Sequence, residues 1–230
     1  MPGSRRQLRP ELLDDPSVPD ELRARSMADV ERSNALLGGR RAAMRALDGL
    51  LASPDLPREV TLLDVGAGTG DLARAARKLA RARSVQMRTV VLDRAPSLAV
   101  RALEGNDASL CAGALELPVR DGGVDIAMCS QLLHHFDDED GMRLLAELHR
   151  VAGFGVVVAE LRRSRLAAWG FRAVSWPLGF HPITRHDGAV SVMRGFTGPE
   201  LRALVLRATG VVPVVSRSLG WRLTASWRCG

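Results

Sequence analysis

The sequence predicts an α/β fold in which a seven-stranded, mostly parallel sheet has helices on both faces. Short apolar runs of strand length alternate with segments of helical periodicity through the middle of the chain. The first run, Val60 to Val65, leads directly into a loop with three glycines and then into a helical segment. The valine-rich run from Gly155 to Leu161 is typical of a strand covered on both faces. Together these features indicate a Rossmann-like sheet.

The predicted elements follow this alternation in chain order. Strands are expected at residues 60–65, 87–92, 110–113, 124–129, 155–161, 211–218 and 221–227, and helices at 20–36, 40–51, 71–82, 97–103, most of 132–151, and 197–210. Thr197 and Glu200 form a capping-box signature at the start of the last helix. The final strand alternates apolar with polar residues, which predicts one buried face in a closing antiparallel pair.

Two segments depart from the simple alternation. Residues 1–57 precede the first sheet strand with apolar residues at helical spacing, so we expect an N-terminal helical lid beside a main domain at 58–230. Asn34 and Arg40 flank the double glycine between the two lid helices and are candidate substrate contacts. Residues 162–196 are expected to form a substrate-facing insertion after strand five.

Length and composition indicate one α/β domain with an appendage. The 230 residues are 46% hydrophobic and contain no apolar run approaching the roughly 20 residues of a membrane span. The N-terminal stretch carries charges of both signs without an apolar signal core, so a cytoplasmic location is expected. Three isolated cysteines suit a reducing compartment and have no metal-ligand spacing, so no metal site is expected.

The net charge of +6 invites a nucleic-acid interpretation. However, the basic residues are almost all arginine and form no long run of like charges. The chain also has no tyrosine to stack on bases. A solvated, arginine-rich surface is therefore favoured over a nucleic-acid interface.

Chemistry-bearing residues begin at the carboxyl end of the first strand. Gly66, Gly68 and Gly70 stand at alternate positions, with Asp64 before them and Asp71 after them. Glycines let the backbone turn with positive φ and let a ligand approach closely. A dinucleotide loop needs G-x-G-x-x-G, whereas here the third glycine comes one residue early and an acid follows it. Acids at both ends of the loop suit a ligand that carries positive charge.

The stretch from Thr61 to Leu72 resembles motif I of class I S-adenosylmethionine-dependent methyltransferases, and the resemblance covers residues 58–163 well. It implies S-adenosylmethionine as methyl donor and S-adenosylhomocysteine as product. Asp93 ends the second strand, where the dinucleotide fold uses an acid to bind ribose hydroxyls. The candidate cofactor contacts are Asp64, Gly66, Ala67, Gly68, Gly70, Asp71, Asp93, Arg94, Ala114, Leu115, Cys129 and Ser130.

The segment Gly113 to Pro118 resembles the family's G-D-A-x-x-L-P stretch after strand three, with glycine in place of the aspartate. Because this side chain is missing, only backbone N–H groups near Ala114 and Leu115 are left to hold adenine. Arg94 is expected to lie against the adenine ring.

His134 and His135 follow strand four and are the first candidate bases. This position lies beside the point where open α/β sheets bind ligands. A histidine there can deprotonate a phenol or enol near neutral pH. The N-P-P-Y-type signature of amino methylation is absent at this point, which argues against exocyclic amines of adenine or cytosine as acceptors.

Residues 181–188 form a second candidate group, expected to be a substrate-facing loop. His181 and His186 are alternative bases, and Asp187 is an alternative acid for the same step. Arg185 is a candidate contact for an acidic or phenolate oxygen. The spacing does not match a zinc motif.

The resemblance implies methyl transfer to a small molecule. The stretch Pro10 to Pro16, the break at Leu37 to Arg40 and residues 181–188 together resemble methyltransferases of bacterial polyketide or quinone pathways. We therefore expect O-methylation of a phenolic, polyketide or quinol acceptor by a monomer or homodimer, with C-methylation as the next alternative. An RNA methyltransferase, a nicotinamide-binding oxidoreductase and a silent binding module remain further alternatives.

Overall fold

A computed structural model describes residues 6–15 and 17–230. Its helices are α1 (Asp20–Leu36), α2 (Gly39–Leu51), α3 (Asp71–Ala82), α4 (Pro96–Ala102), α5 (Asp138–Val151), α6 (Arg165–Ser175), α7 (Pro182–Arg194) and α8 (Gly198–Thr209). Its strands are β1 (Glu59–Val65), β2 (Gln86–Asp93), β3 (Ala108–Cys111), β4 (Val124–Ser130), β5 (Ala152–Leu161), β6 (Val214–Ser218) and β7 (Arg222–Arg228). Short 3-10 turns occur at Leu12–Asp14 and Leu133–His135.

The strands form one seven-stranded sheet in the order β3-β2-β1-β4-β5-β7-β6. Strands β1 to β5 are parallel, and β7 lies antiparallel between β5 and β6. The predicted fold class is confirmed. Because β1 and β4 are neighbours from different halves of the winding, their carboxyl ends open a crevice where such sheets bind ligands.

Local sequence explains where the helices begin. Gly70, with φ of 73°, ends the glycine loop and precedes α3. The capping box is present as predicted at α8, where Thr197 accepts from the Glu200 N–H and Glu200 accepts from the Thr197 N–H. Helices α5 and α8 cover one sheet face with leucines, and α2 and α3 cover the other with leucine and alanine. The sheet is therefore buried on both faces around β1, β4 and β5.

The helix predicted over most of 132–151 is confirmed as α5. It starts at Asp138, because the side chain of Asp137 accepts from the Asp140 N–H and caps it. Two other local predictions were wrong. The predicted loop at 181–188 is mostly the start of α7, since His181 caps that helix and Pro182 stands in its first turn. Strand β7 is buried on both faces over its first half, because α2 covers its polar face as well.

The N-terminal segment packs against α7 and the start of α5. Both oxygens of Asp187 on α7 accept backbone N–H groups, from Leu12 at 2.9 Å and from Leu13 at 2.9 Å. Arg6 donates to Asp138 at 2.7 Å and to the Phe136 carbonyl at 2.8 Å. Residues 1–5 and Pro16 of the predicted lid lie outside the described residues. Within the described part of the chain, no helix has the length and apolar character to cross a bilayer.

Candidate active site

A cavity of about 640 Å³ opens at the carboxyl ends of β1, β2 and β4. The N-terminal segment and α1 form its lid, and α6 and α7 form its far wall. Twelve of the predicted site residues line it: Asn34, Asp64, Gly66, Ala67, Gly68, Asp71, Asp93, Arg94, Ala114, Ser130, His134 and His135.

The glycine loop is shaped for a close ligand. Gly66 and Gly68 have φ of 70° and 56°, values that residues with a Cβ rarely adopt. The nearest atom to a Cβ built at Gly68 is the sulfur of Met27, 4.0 Å away on the lid. The N–H groups of Gly66 and Ala67 donate to the Leu92 carbonyl at 2.8 and 3.0 Å, which fixes the loop against β2. A side chain at Gly68 would occupy cavity space.

Carboxylates surround this loop. Asp64 is fully buried, and its Oδ2 has no hydrogen-bond partner among the described residues. Burial, and then the charge of Asp71, raise the pKa of Asp64 to about 8. Burial, and then the charge of Glu31 on α1, raise the pKa of Asp71, whose Oδ2 also lacks a described partner. These orphaned acids fit a cationic ligand, such as the sulfonium and amino group of S-adenosylmethionine.

Asp93 is oriented by the backbone beside the loop. Its carboxylate accepts from the Gly68 N–H at 3.0 Å and from the Ala95 N–H at 3.0 Å. It lines the cavity together with Arg94, which is exposed, and Ala114. The carboxylate therefore stands at the loop with lone pairs left for a ligand hydroxyl.

A buried histidine occupies the other half of the cavity. His134 Nδ1 lies 2.9 Å from Oε2 of Glu160, at the end of β5. The same carboxylate accepts the N–H groups of His134 at 3.2 Å and Leu161 at 3.0 Å. Burial alone would raise the pKa of Glu160, but the attraction and hydrogen bonds of His134 hold it below the usual range. An ionised Glu160 therefore keeps the proton on Nδ1 and leaves Nε2 as an acceptor.

Two further charged residues, neither of them on a strand of the sheet, contact His134. Glu11 Oε1 lies 3.8 Å from His134 Nε2, 3.4 Å from Nη1 of Arg194, and accepts from the Ser191 hydroxyl at 2.7 Å. Arg194 also donates to the carbonyls of His134 and His135, at 3.1 and 3.0 Å. The arginine therefore ties the N-terminal segment, α7 and the histidine turn together.

Glu11, His134 and His135 are also the one group of potential metal ligands found among the described residues. Their ligand atoms lie within 4.8 Å of one another. The nearby Arg194 guanidinium opposes a cation at this point.

The chain matches a family model for a methyltransferase domain over residues 63–158. This match spans the glycine loop, Asp93 and the histidine turn. Residues 63–158 are a methyltransferase domain of the class I, S-adenosylmethionine-dependent type. The cofactor of this methyltransferase is S-adenosylmethionine. No curated protein matches the chain.

Solved structures share the fold at low identity. The plantazolicin methyltransferase, in complex with a triazolic desmethyl analogue and S-adenosylhomocysteine, is 16% identical with a TM-score of 0.64, covering 88% of this chain and 74% of that one. A possible histamine N-methyltransferase from Thermotoga maritima is 16% identical with a TM-score of 0.58, covering 91% and 99%. Magnesium protoporphyrin IX methyltransferase from Synechocystis PCC 6803 is 13% identical with a TM-score of 0.56, covering 84% and 84%.

Several predicted site residues of the methyltransferase do not line the cavity: Arg40, Gly70, Leu115, Cys129, His181, Arg185 and His186. His181 caps α7, with Nδ1 accepting from the Ile183 N–H at 3.3 Å. The side chain of His186 is 45% exposed beside Asp187. Arg40 is exposed, and Cys129 is buried in the core, where burial raises the pKa of its thiol. The geometry gives neither His181 nor His186 access to the cavity.

Sequence reasoning missed four cavity residues on separate elements: Glu11, Glu31, Gln131 and Arg222. Gln131 donates to the side chain of Asn34, and its φ of 53° is unusual for a residue with a Cβ. Arg222 is buried, and Nη1 of its guanidinium has no hydrogen-bond partner among the described residues. Burial lowers the pKa of Arg222 to about 10. In the sequence, Arg222 falls on the apparent polar face of β7, so it was not chosen as a site residue.

Proposed function

We propose that the methyltransferase methylates an oxygen of a phenolic, polyketide or quinol small molecule, with His134 as general base. The observation that carries this proposal is the buried pair of His134 and Glu160 at the cavity wall. A phenol has a pKa near 10, so little of it is ionised at neutral pH without a base. A positioned imidazole next to the acceptor takes up the phenol proton, which produces the nucleophilic phenolate at neutral pH.

The proton transfer follows from the hydrogen bonds of His134. Glu160 holds the Nδ1 proton, so Nε2 accepts the proton of the acceptor hydroxyl. The resulting imidazolium lies between two carboxylates, Glu160 and Glu11. Glu160 is therefore a positioning residue that also stabilises the charged form of the base.

The bound cofactor supplies an electrophilic methyl group on its sulfonium sulfur. The chain's own residues align the acceptor oxygen with that group and exclude water. Met27, Val30 and Leu37 of the lid line the cavity with apolar surface. Such a wall suits an aromatic or polyketide-like acceptor better than a solvated one.

Arg222 supports an acceptor with an acidic oxygen. Its buried guanidinium lines the cavity under the junction of α1 and α2, where a Cβ at Gly39 would lie 3.2 Å from its Cζ. Nε of Arg222 donates to the Leu37 carbonyl at 3.4 Å, but Nη1 has no described partner, and a buried cation without a paired anion is costly. A phenolate or carboxylate oxygen would complete this site, the role that the sequence pattern assigns to Arg185.

The first experiment is a screen of phenolic, quinol and polyketide acceptors with S-adenosylmethionine labelled in the methyl group. His134→Gln should lose most turnover with the acceptor found, whereas His135→Gln should keep most of it. Product analysis by mass spectrometry and NMR reports whether oxygen or carbon carries the label. Label found on carbon would contradict the proposed O-methylation. Near-parental turnover in His134→Gln would contradict the assignment of His134 as the base.

A further inference from the structure

Helix α6 presents an apolar face to solvent. Leu166, Trp169 and Trp176 are 68%, 78% and 73% exposed, although the helix buries Ala167 and Ala168 on its other side. The three exposed residues follow one another at helical steps and form a single ridge. Two exposed tryptophans, one on α6 and one at its C-cap, are rare on a protein surface that faces only water. We call this ridge, together with Arg165 and Arg172, the α6 surface.

The charged residues next to the ridge along the sequence are all arginines. The chain carries no acid between Glu160 and Asp187, whereas this interval contains Arg162, Arg163, Arg165, Arg172 and Arg185. Arg163 is buried and paired with Glu200, so it adds no charge to the ridge. A second cavity of about 260 Å³ lies beside Trp169, and Arg9, Arg165 and Arg172 line it. The guanidinium groups of these three arginines have no ion pair or hydrogen bond with another described residue. The groove therefore offers unpaired guanidinium groups next to an exposed indole.

The same helix forms the rim of the methyl-transfer cavity. Gly170, Phe171 and Val174 line that cavity, and Val174 is itself 41% exposed. Gly170 directly follows Trp169 along α6, and Val174 lies two residues before Trp176. Apolar surface is therefore continuous from the exposed ridge to the cavity.

We propose that the α6 surface docks the methyltransferase on an anionic phospholipid bilayer. Tryptophan and leucine would enter the interface, and the arginines would meet lipid phosphates. A face that combines indoles with unpaired guanidinium groups and lacks acids complements an anionic lipid surface in both polarity and charge. The bilayer would then deliver an apolar acceptor at the cavity rim, without any helix that crosses the membrane.

Vesicle co-sedimentation of the full chain tests this directly. At low ionic strength we expect binding to vesicles of phosphatidylcholine with phosphatidylglycerol, and at least tenfold weaker binding to phosphatidylcholine alone. Arg165→Gln/Arg172→Gln should weaken binding to the anionic vesicles about tenfold or more. Trp169→Ser/Trp176→Ser should weaken it similarly and remove most of the quenching by brominated lipid, because Trp227 is buried in the core and Trp221 packs on the buried side of α6, against the cluster of Ala167 and Ala168.

Matched controls change similar residues elsewhere. Val212→Ser/Val214→Ser removes apolar residues that are 60% and 67% exposed near the sheet edge, and Arg120→Gln/Arg202→Gln removes two exposed arginines. Both should leave vesicle binding unchanged, and all variants should bind S-adenosylmethionine like the parent. Absence of vesicle binding, equal loss in the controls, or a dimer that the tryptophan variant dissociates in light scattering would overturn the proposal.

Discussion

The two halves of the cavity are built in different ways. The cofactor half comes from one stretch of sequence and the end of the next strand: Asp64, Gly66, Gly68, Asp71 and Asp93. The acceptor half comes from five distant parts of the chain: Glu11, His134, Glu160, Arg194 and Arg222. A backbone cradle can be encoded locally, whereas a buried proton relay needs tertiary packing to bring its members together.

The two halves also differ in how their charges are compensated. Asp64 and Asp71 keep carboxylate oxygens without described partners, so the cofactor half is incomplete until a cation enters. Glu160, His134, Glu11 and Arg194 compensate one another before any ligand arrives. We therefore expect variants of the first half to change cofactor binding and variants of the second half to change turnover.

The largest expected effect concerns the cofactor half. Gly68→Val should abolish S-adenosylmethionine binding in calorimetry, because valine resists φ of 56° and fills cavity space. Gly210→Val is the matched control, since Gly210 has φ of 74° with open space around its Cβ after α8. If both variants bind the cofactor like the parent, the glycine loop is not the cofactor site.

The acceptor half should respond in turnover. His134→Gln should lower kcat by about 10²–10⁴-fold with near-parental cofactor affinity, since it removes the base and keeps polarity. Activity should recover partly at high pH, where a phenol ionises unaided. Steady-state kinetics across pH provide the measurement, with His135→Gln as control. If His134→Gln lost as much cofactor affinity as turnover, the two halves of the cavity would not act separately on binding and on turnover.

A smaller effect is expected at Asp93, the proposed contact to the ribose. Asp93→Ala should weaken cofactor binding by about 1–3 kcal/mol, the cost of removing a charge-assisted hydrogen-bond acceptor. Titration calorimetry measures it, and circular dichroism checks that the loop beside Gly68 stays folded. Unchanged affinity in a folded variant would exclude Asp93 from the site.

The last expected effect is on stability rather than on binding or turnover, and it depends on pH. The folded pKa of Asp64 is about 8, against 3.8 ordinarily, so the folded state binds more protons between these values. Its contribution to stability is therefore most favourable below pH 3.8 and falls as pH rises to about 8, by up to about 1.4 kcal/mol per pH unit. Asp64→Asn should flatten this slope in urea unfolding of the cofactor-free protein. Equal slopes in parent and variant would contradict an uncompensated Asp64.

The same contrast explains what sequence reasoning could reach. The strand order and the glycine loop follow from periodicity and short motifs, and both are local signals. The pairing of His134 with Glu160 depends on the neighbouring positions of β4 and β5, and Glu160 looks like one more residue of a buried strand. Arg222 was assigned to a polar face because alternation carries no information about α2 above it. The surroundings of Glu160 and Arg222 depend on how strands and helices pack together, and local sequence propensity does not report that packing.

The anchoring of the N-terminal segment has a practical consequence for producing the protein. Glu11 lies against His134 and Arg194, and Asp187 holds the backbone of Leu12 and Leu13. A shortened form that begins at α1 would fold its sheet but would leave Arg194 without this carboxylate and His134 open to water. Kinetic constants from such a form would describe a different enzyme, so the N-terminal segment belongs in every form used for kinetics.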